Sequence, residues 1–121
     1  SDLMHPASRD TQKAYKWGDG GVGWPLVETE GLLVIEETLA PRCGEKHHYH
    51  NQAAQCFYML AGCAVMQFAD GRHVEIDTGM ALHIPPKTGH AIVNQTDDEI
   101  RFLVISAPSS RGDRHEVEQD K

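Results

Sequence analysis

Apolar and polar residues alternate along most of the chain between residues 30 and 107. Because neighbouring side chains of a strand point to opposite faces, this alternation predicts β-strands. The apolar segments are short and bounded by glycine, proline or aspartate, and Asp70-Gly71 is the clearest hairpin turn. Eight strands are predicted, at residues 32–39, 47–50, 55–60, 63–68, 73–76, 81–84, 90–94 and 100–106.

The spacing of these strands predicts the fold class. Turn signals recur about every 8 to 12 residues, which is typical of a sandwich or a small barrel. The sequence contains no long amphipathic helix pattern and no strong internal repeat. We therefore expect a single all-β domain at residues 30–107.

The two ends of the chain lack this alternation. Residues 1–29 are expected to form an N-terminal arm that includes a glycine-rich loop, residues 17–25, bracketed by tryptophans. A flexible loop is the plainer interpretation of that segment, and a lid over a substrate is the alternative. Residues 108–121 are polar and are expected to form a frayed C-terminal tail.

Alternation also predicts which side chains face the interior of the domain. Tyr58 should point outward, since it is out of phase with Gln55. An apolar interior suits a small organic ligand, but a barrel needs such a core whatever it binds. The predicted inward sets are Gln55, Phe57 and Met59; Ala64, Met66 and Phe68; and His90 with Ile92.

The amino-acid composition argues against some classes of binding partner. The net charge of -7 and the pI of about 5.5 argue against nucleic acid and against an anionic membrane surface. No apolar run approaches the roughly 20 residues that span a bilayer. Three cysteines without a visible secretion signal fit reduced packing residues in a cytoplasmic protein: Cys43, Cys56 and Cys63.

The candidate chemistry lies in the histidines. His48 and His50 are two residues apart on a predicted strand, so their side chains share a face about 7 Å apart along the strand. Such a pair suits one metal ion, with Gln55 and His90 as candidates for further ligands. The other histidines are expected to face away, to be solvated, or, for His83, to have an ordinary role at a pocket mouth or an interface: His5, His47, His73, His83 and His115.

Two spaced motifs in the chain resemble those of the cupin family. The first family motif is P-G-x5-H-x-H-x(3,4)-E-x6-G, and the second is G-x5-P-x-G-x2-H-x3-N. All spacings hold over residues 41–94, and flanking strands extend the resemblance over most of residues 30–107. The matching positions are Pro41, Arg42 in place of glycine, His48, His50, Gln55 in place of glutamate, Gly62, Gly79, Pro85, Lys87 in place of glycine, His90 and Asn94.

The resemblance implies a double-stranded β-helix, the jelly-roll barrel, with a metal ion inside. His48, His50, His90 and Gln55 would hold a divalent transition metal (Zn, Mn, Fe or Ni), and a homodimer is expected. The alternative is that Gln55 lies next to the ion without binding it, because an amide oxygen is a weaker ligand than a carboxylate. Gln55 would leave the ion its full +2 charge, which strengthens it as a Lewis acid and favours anionic ligands. Gln55 also removes the usual carboxylate base, and the outward Tyr58 is a weak substitute.

The expected function is therefore the binding of a small, oxygen-chelating or anionic organic molecule at this metal. Dioxygenase, isomerase or lyase chemistry is one interpretation. A non-catalytic metal or small-molecule binding module is the alternative, and the absence of an obvious second acid or base favours it. A sugar-nucleotide epimerase is a weaker option, because no basic cluster for a phosphate is evident. No catalytic residue is assigned from the sequence.

Overall fold

The computed structural model describes residues 4–117, which form eleven β-strands in two antiparallel sheets. Within this range no helix is long and apolar enough to cross a membrane. The strands are β1 (Tyr15–Trp17), β2 (Gly21–Glu28), β3 (Leu33–Leu39), β4 (His48–His50), β5 (Ala54–Ala61), β6 (Ala64–Phe68), β7 (His73–Ile76), β8 (Ala81–Ile84), β9 (His90–Val93), β10 (Ile100–Ala107) and β11 (Arg114–Glu116).

The two sheets pack face to face and enclose one core. The larger sheet has the order β1-β2-β3-β10-β5-β8, and the smaller has the order β11-β4-β9-β6-β7. From β3 to β10 the chain passes from one sheet to the other at every step except at β6 and β7, which pair with each other in the smaller sheet. This is the arrangement of the double-stranded β-helix that the motifs imply. The centre is filled by side chains from both sheets, among them Leu39, Met59, Met66, Ile92 and Phe102.

All eight predicted strands are present, with ends that differ from the prediction by at most one residue. The predicted inward sets on β5, β6 and β9 are confirmed, because every one of their side chains is buried. Tyr58 points outward as predicted and is 38% exposed. Two-residue alternation was a sufficient signal here because each of these strands has one face against the core.

The prediction of a glycine-rich loop at residues 17–25 is wrong, because most of this segment belongs to strands. Residues 21–28 form β2, which pairs with β3 along its length, and Gly18 and Gly20 adopt positive φ in the turn from β1. A Cβ on Gly23 would lie 2.7 Å from Tyr15 Cζ, and one on Gly21 would overlap the Trp17 ring. The glycines therefore make room for two aromatic side chains of β1 that lie across β2, and they do not mark a mobile segment.

The predicted frayed tail is also wrong for part of its length. Arg114–Glu116 form β11, which pairs with β4, and the backbone N–H of Val117 donates to His47 O at 3.1 Å. His115, predicted to be solvated, stacks on Tyr49 with ring centroids 5.2 Å apart. A three-residue polar strand carries too little apolar alternation to be visible in a sequence. The predicted tail beyond Val117 lies outside the described residues.

Two non-glycine residues occupy the motif positions where the family pattern has glycine. Arg42 and Lys87 have φ values of 60° and 65°, in the left-handed region that glycine adopts at lowest cost. Asn94, the last residue of the second motif, is fully buried and donates from Nδ2 to three backbone carbonyls at 2.8–3.1 Å. These motif positions therefore shape turns, and they do not contribute chemistry.

Candidate metal centre

Three histidines meet on the inner face of the smaller sheet. His48 and His50 project inward from β4 on either side of Tyr49, and His90 of β9 is the direct cross-strand partner of His48. One ring nitrogen of each lies within 4.8 Å of the others, and all three side chains are buried. This is a spacing at which one ion can be bound by three imidazoles.

Backbone carbonyls fix the orientation of each imidazole. The Nδ1 atoms of His48, His50 and His90 lie 3.2, 2.9 and 2.8 Å from the carbonyl oxygens of Lys46, Asp113 and Thr88. A carbonyl only accepts, so in the neutral ring the proton must sit on Nδ1 and the lone pair on Nε2. The three rings are thus held in the tautomer that a metal ligand requires.

The histidines are also held in their neutral form. Burial lowers the pKa of His48 to about 3 and that of His90 to about 4, and it lowers the pKa of His50 in the same direction. The Nε2 lone pairs are therefore free of protons at neutral pH. A cation need not displace a proton in order to bind there.

Gln55 faces the histidines from the opposite sheet. Its side chain is buried on β5, and Nε2 donates to Ser106 Oγ at 3.0 Å on neighbouring β10. The other amide atom, Oε1, is buried without a partner among the described residues. The same is true of Nε2 of His50 and Nε2 of His90. Unpartnered acceptors are costly in a protein interior, and a cation would satisfy them, so the donor set fits a divalent metal. Coordination by Gln55 itself stays a prediction.

Asp113 ties the histidine strand to the C-terminal segment. Its carboxylate accepts backbone N–H bonds from Asn51, Gln52 and Ala53 at 2.9–3.1 Å, and its carbonyl accepts from His50. The N–H of Gln52, followed by those of Ala53 and Asn51, lowers the pKa of Asp113 to about 2. The segment predicted to be frayed therefore positions one of the three imidazoles.

Two buried glutamates beside the histidines were missed in the sequence. Glu45 Oε1 lies 3.7 Å from His48 Nδ1 and from Arg114 Nη1, while Oε2 accepts the N–H of Ile92 at 3.0 Å. Burial raises the pKa of Glu45 to about 7, and burial followed by the Glu45 charge raises that of Glu37 to about 8. The sequence showed no obvious second acid or base, and the structure places these two carboxyl groups in the wall of the site. Alternation along 33–39 places Glu37 inward, and that signal was available.

A cavity of about 300 Å³ is lined by two of the three histidines, by Gln55 and by both glutamates. The larger sheet contributes apolar side chains, such as Ile35 and Phe57, and the mouth carries Arg111 and Arg114. His83 is exposed on β8 and does not line it. The polar groups on its wall are Tyr15, Glu37, Glu45, His48, His50, Gln55, Ser106 and Ser110.

Comparison with known proteins identifies the family of this fold. A family model described as a cupin domain matches residues 35–106. An uncharacterized protein of Methanocaldococcus jannaschii is 29% identical over 104 residues, which cover 82% of each chain. The quercetin 2,3-dioxygenase of Bacillus subtilis is 31% identical over 65 residues, which are 52% of this chain and 19% of that enzyme.

Among solved structures, the polyketide cyclase RemF of Streptomyces resistomycificus matches with a TM-score of 0.82. The match covers 98% of this chain and 89% of the cyclase, at 23% identity. A likeness at that level of identity establishes the fold. The chemistry has to be inferred from the side chains of this chain.

Proposed function

This chain belongs to the cupin domain family, and on that premise we propose that it binds a divalent metal through His48, His50, His90 and Gln55 and there binds a small organic molecule that chelates through oxygen. One observation carries the proposal. Three imidazoles are locked by backbone carbonyls with Nε2 free, and the Gln55 Oε1 atom is buried without a partner. Neutral nitrogen and amide oxygen donors suit Zn, Mn, Fe or Ni.

The cavity determines what such a ligand looks like. A metal held there would act as a Lewis acid that polarises an oxygen atom of the ligand. The volume of about 300 Å³ is at the small end of ligand pockets, so the molecule is compact. Arg111 and Arg114 at the mouth favour a negatively charged or enolic molecule. Trp17 also lines the cavity, and its buried Nε1 has no partner among the described residues.

The two buried carboxyl groups favour an enzyme over a passive binding module. A binder has no need of Glu37 and Glu45, whose burial costs stability. Their presence beside a ligand site favours proton-transfer chemistry, as in an isomerase or a lyase. The dioxygenase alternative is supported by the match to quercetin 2,3-dioxygenase, which spans half of this chain.

Binding of oxalate, a small dianion that chelates through two oxygens, tests the proposed function. Titration calorimetry should show binding to metal-loaded protein and none to metal-depleted protein. His48→Ala should abolish the metal-dependent binding, because one of three imidazoles is lost. His83→Ala is the matched control, since it removes an exposed histidine outside the cavity. Equal oxalate binding with and without metal, or in His48→Ala, would contradict the proposal.

A further inference from the structure

We propose that Glu37, positioned by Tyr15 across Gly23, is the group that accepts a proton from the ligand and returns it. The inference rests on the proposed function, because the ligand would be held at the histidine centre. The observation behind it is a buried carboxyl that shares the cavity with His48, His50 and Gln55. No charged side chain among residues 4–117 forms an ion pair with it.

Three strands build the position of Glu37. Tyr15 on β1 pairs with Gly23 on β2, and Gly23 pairs with Glu37 on β3, so the three residues form one row across the sheet. The Tyr15 ring lies over Gly23, where a Cβ would come within 2.7–2.9 Å of Cζ, Oη and Cε1. Its hydroxyl reaches Glu37 Oε2 at 3.3 Å. A side chain at position 23 would block that reach, which explains glycine in the middle of a strand.

The surroundings of Glu37 differ from those of the neighbouring Glu36. Glu36 points to the outer face, where Arg9 and Arg101 lie 3.5 Å from its carboxylate. Glu37 has one protein hydrogen bond, from Tyr15, and Oε1 has no partner among the described residues. An unpaired buried carboxyl opposes folding, and such groups are concentrated at functional sites.

The titratable and charged groups that act on Glu37 come from three directions. Tyr15 approaches from β1, Glu45 from the segment before β4, and Arg114 from β11. Arg111 at the mouth is engaged by Glu28 at 2.7 Å and lies over the Tyr15 ring. Burial dominates and raises the pKa of Glu37 to about 8, so both forms of the carboxyl are present near neutral pH. A group with both forms available can take up a proton and return it.

The proposed step is a proton transfer and needs no oxidant or reductant. A carboxylate oxygen of Glu37 accepts a proton from a carbon next to a ligand carbonyl, and the electron pair of the broken C–H bond moves toward the carbonyl oxygen. The neutral Glu37 then donates the proton back. Return to the same carbon gives isotope exchange, and return to another carbon gives isomerisation. The hydroxyl of Tyr15 stays hydrogen-bonded to Oε2 and orients the carboxyl.

Exchange of the methyl protons of pyruvate in D2O, followed by proton NMR, tests this step. Metal-loaded protein should catalyse the exchange, and Glu37→Gln should slow it by about 100-fold or more, the usual scale for a lost general base. Glu36→Gln is the matched control on the same strand and should exchange at the rate of the unmodified protein. Metal content and oxalate binding should be unchanged in both variants.

Two kinds of failure are distinguishable in that experiment. Equal exchange rates with and without Glu37→Gln, at full metal content and oxalate binding, would overturn the role of Glu37 alone. Absence of metal or of oxalate binding in the unmodified protein would overturn the proposed function, and with it the action of Glu37 on a chelated ligand.

Tyr15→Phe tests whether Tyr15 positions the carboxyl. The Tyr15 hydroxyl favours the ionised form of Glu37, so its removal should raise the pKa of Glu37 further. The exchange rate should then fall, and its pH profile should move to higher pH. Gly23→Ala should shift the profile in the same direction by displacing the ring. A lower rate with an unmoved pH profile would show that Tyr15 is merely structural.

The metal-free protein supplies a readout that does not depend on activity. The pKa of Glu37 is raised from 4.5 in the unfolded chain to about 8 in the folded protein. Its contribution to stability is therefore complete below pH 4.5 and is lost as the pH rises through 8. Denaturant unfolding of metal-free protein should show that the free energy of unfolding of Glu37→Gln increases relative to that of the unmodified protein from pH 4.5 to pH 8. A stability difference that is constant over this range would contradict a buried, unpaired Glu37.

Discussion

Gln55 is the residue on which the character of the metal site depends. The sequence motif predicts a ligand at this position, and the structure buries its Oε1 atom without a partner while Nε2 donates to Ser106. An amide in this place keeps the ligand set neutral. The ion would retain its full charge for the ligand, and the carboxyl groups for proton transfer would come from elsewhere in the cavity.

Gln55→Glu should make the protein more dependent on metal. A carboxylate buried on β5 without a cation destabilises the metal-free protein, whereas a divalent ion beside it restores the balance of charge. Thermal unfolding should show a lower Tm without metal and a larger rise on adding metal than in the unmodified protein. Gln67→Glu, a change on β6 of the smaller sheet and away from the cavity, is the control. An unaltered metal-induced rise in Gln55→Glu would count against coordination by Gln55.

Residue identities at the site were predictable to different degrees. His48, His50 and His90 follow from two motif spacings, and Tyr58 was correctly placed outside. Glu37 was visible only as an inward position in an alternating strand, since nothing in the sequence shows that Tyr15 reaches it across a glycine. Glu45 precedes β4 in a segment without periodicity, so only the folded chain shows that it contacts His48.

Strands with two alternating faces were predictable, and the strands that close the sheets were not. The strands from β3 to β10 carry buried apolar residues, except β4, whose two buried residues are histidines. In contrast, β2 contains Gly21, Gly23 and Pro25 and has the composition of a loop. The side chains that cover its inner face belong to β1, so the apolar signal is displaced to another strand. β11 depends on pairing with β4 and on Asp113, which are contacts over long sequence distances.

Lys87→Gly should stabilise the loop that precedes β9. Lys87 has φ of 65°, where a side chain costs the folded protein about 1 kcal/mol. Glycine removes this cost, but it also makes the unfolded chain more flexible, which offsets part of the gain in stability. We expect the free energy of unfolding to rise by about 0.5 kcal/mol, measured with denaturant. Lys16→Gly on β1 has no positive φ to relieve and should lower stability. A loss of stability in Lys87→Gly would contradict strain at this turn.

In the whole molecule, the candidate functional side chains lie between the two sheets. The smaller sheet carries the three imidazoles, and the larger sheet carries Gln55 and Glu37. The cavity between them lies against β1 at one side and β11 at the other, so both ends of the described chain contribute to its wall. A homodimer stays a prediction of the family resemblance.

Elemental analysis of protein purified without a polyhistidine tag tests the metal centre most directly. The unmodified protein should contain one equivalent of a divalent transition metal per chain, because three buried imidazoles each offer a ring nitrogen within 4.8 Å of the other two. The double variant His48→Ala/His90→Ala should contain none, while the control variant His73→Ala/His83→Ala, which removes two exposed histidines, should keep the full equivalent. A full equivalent in the first variant, or none in the unmodified protein, would contradict the metal centre.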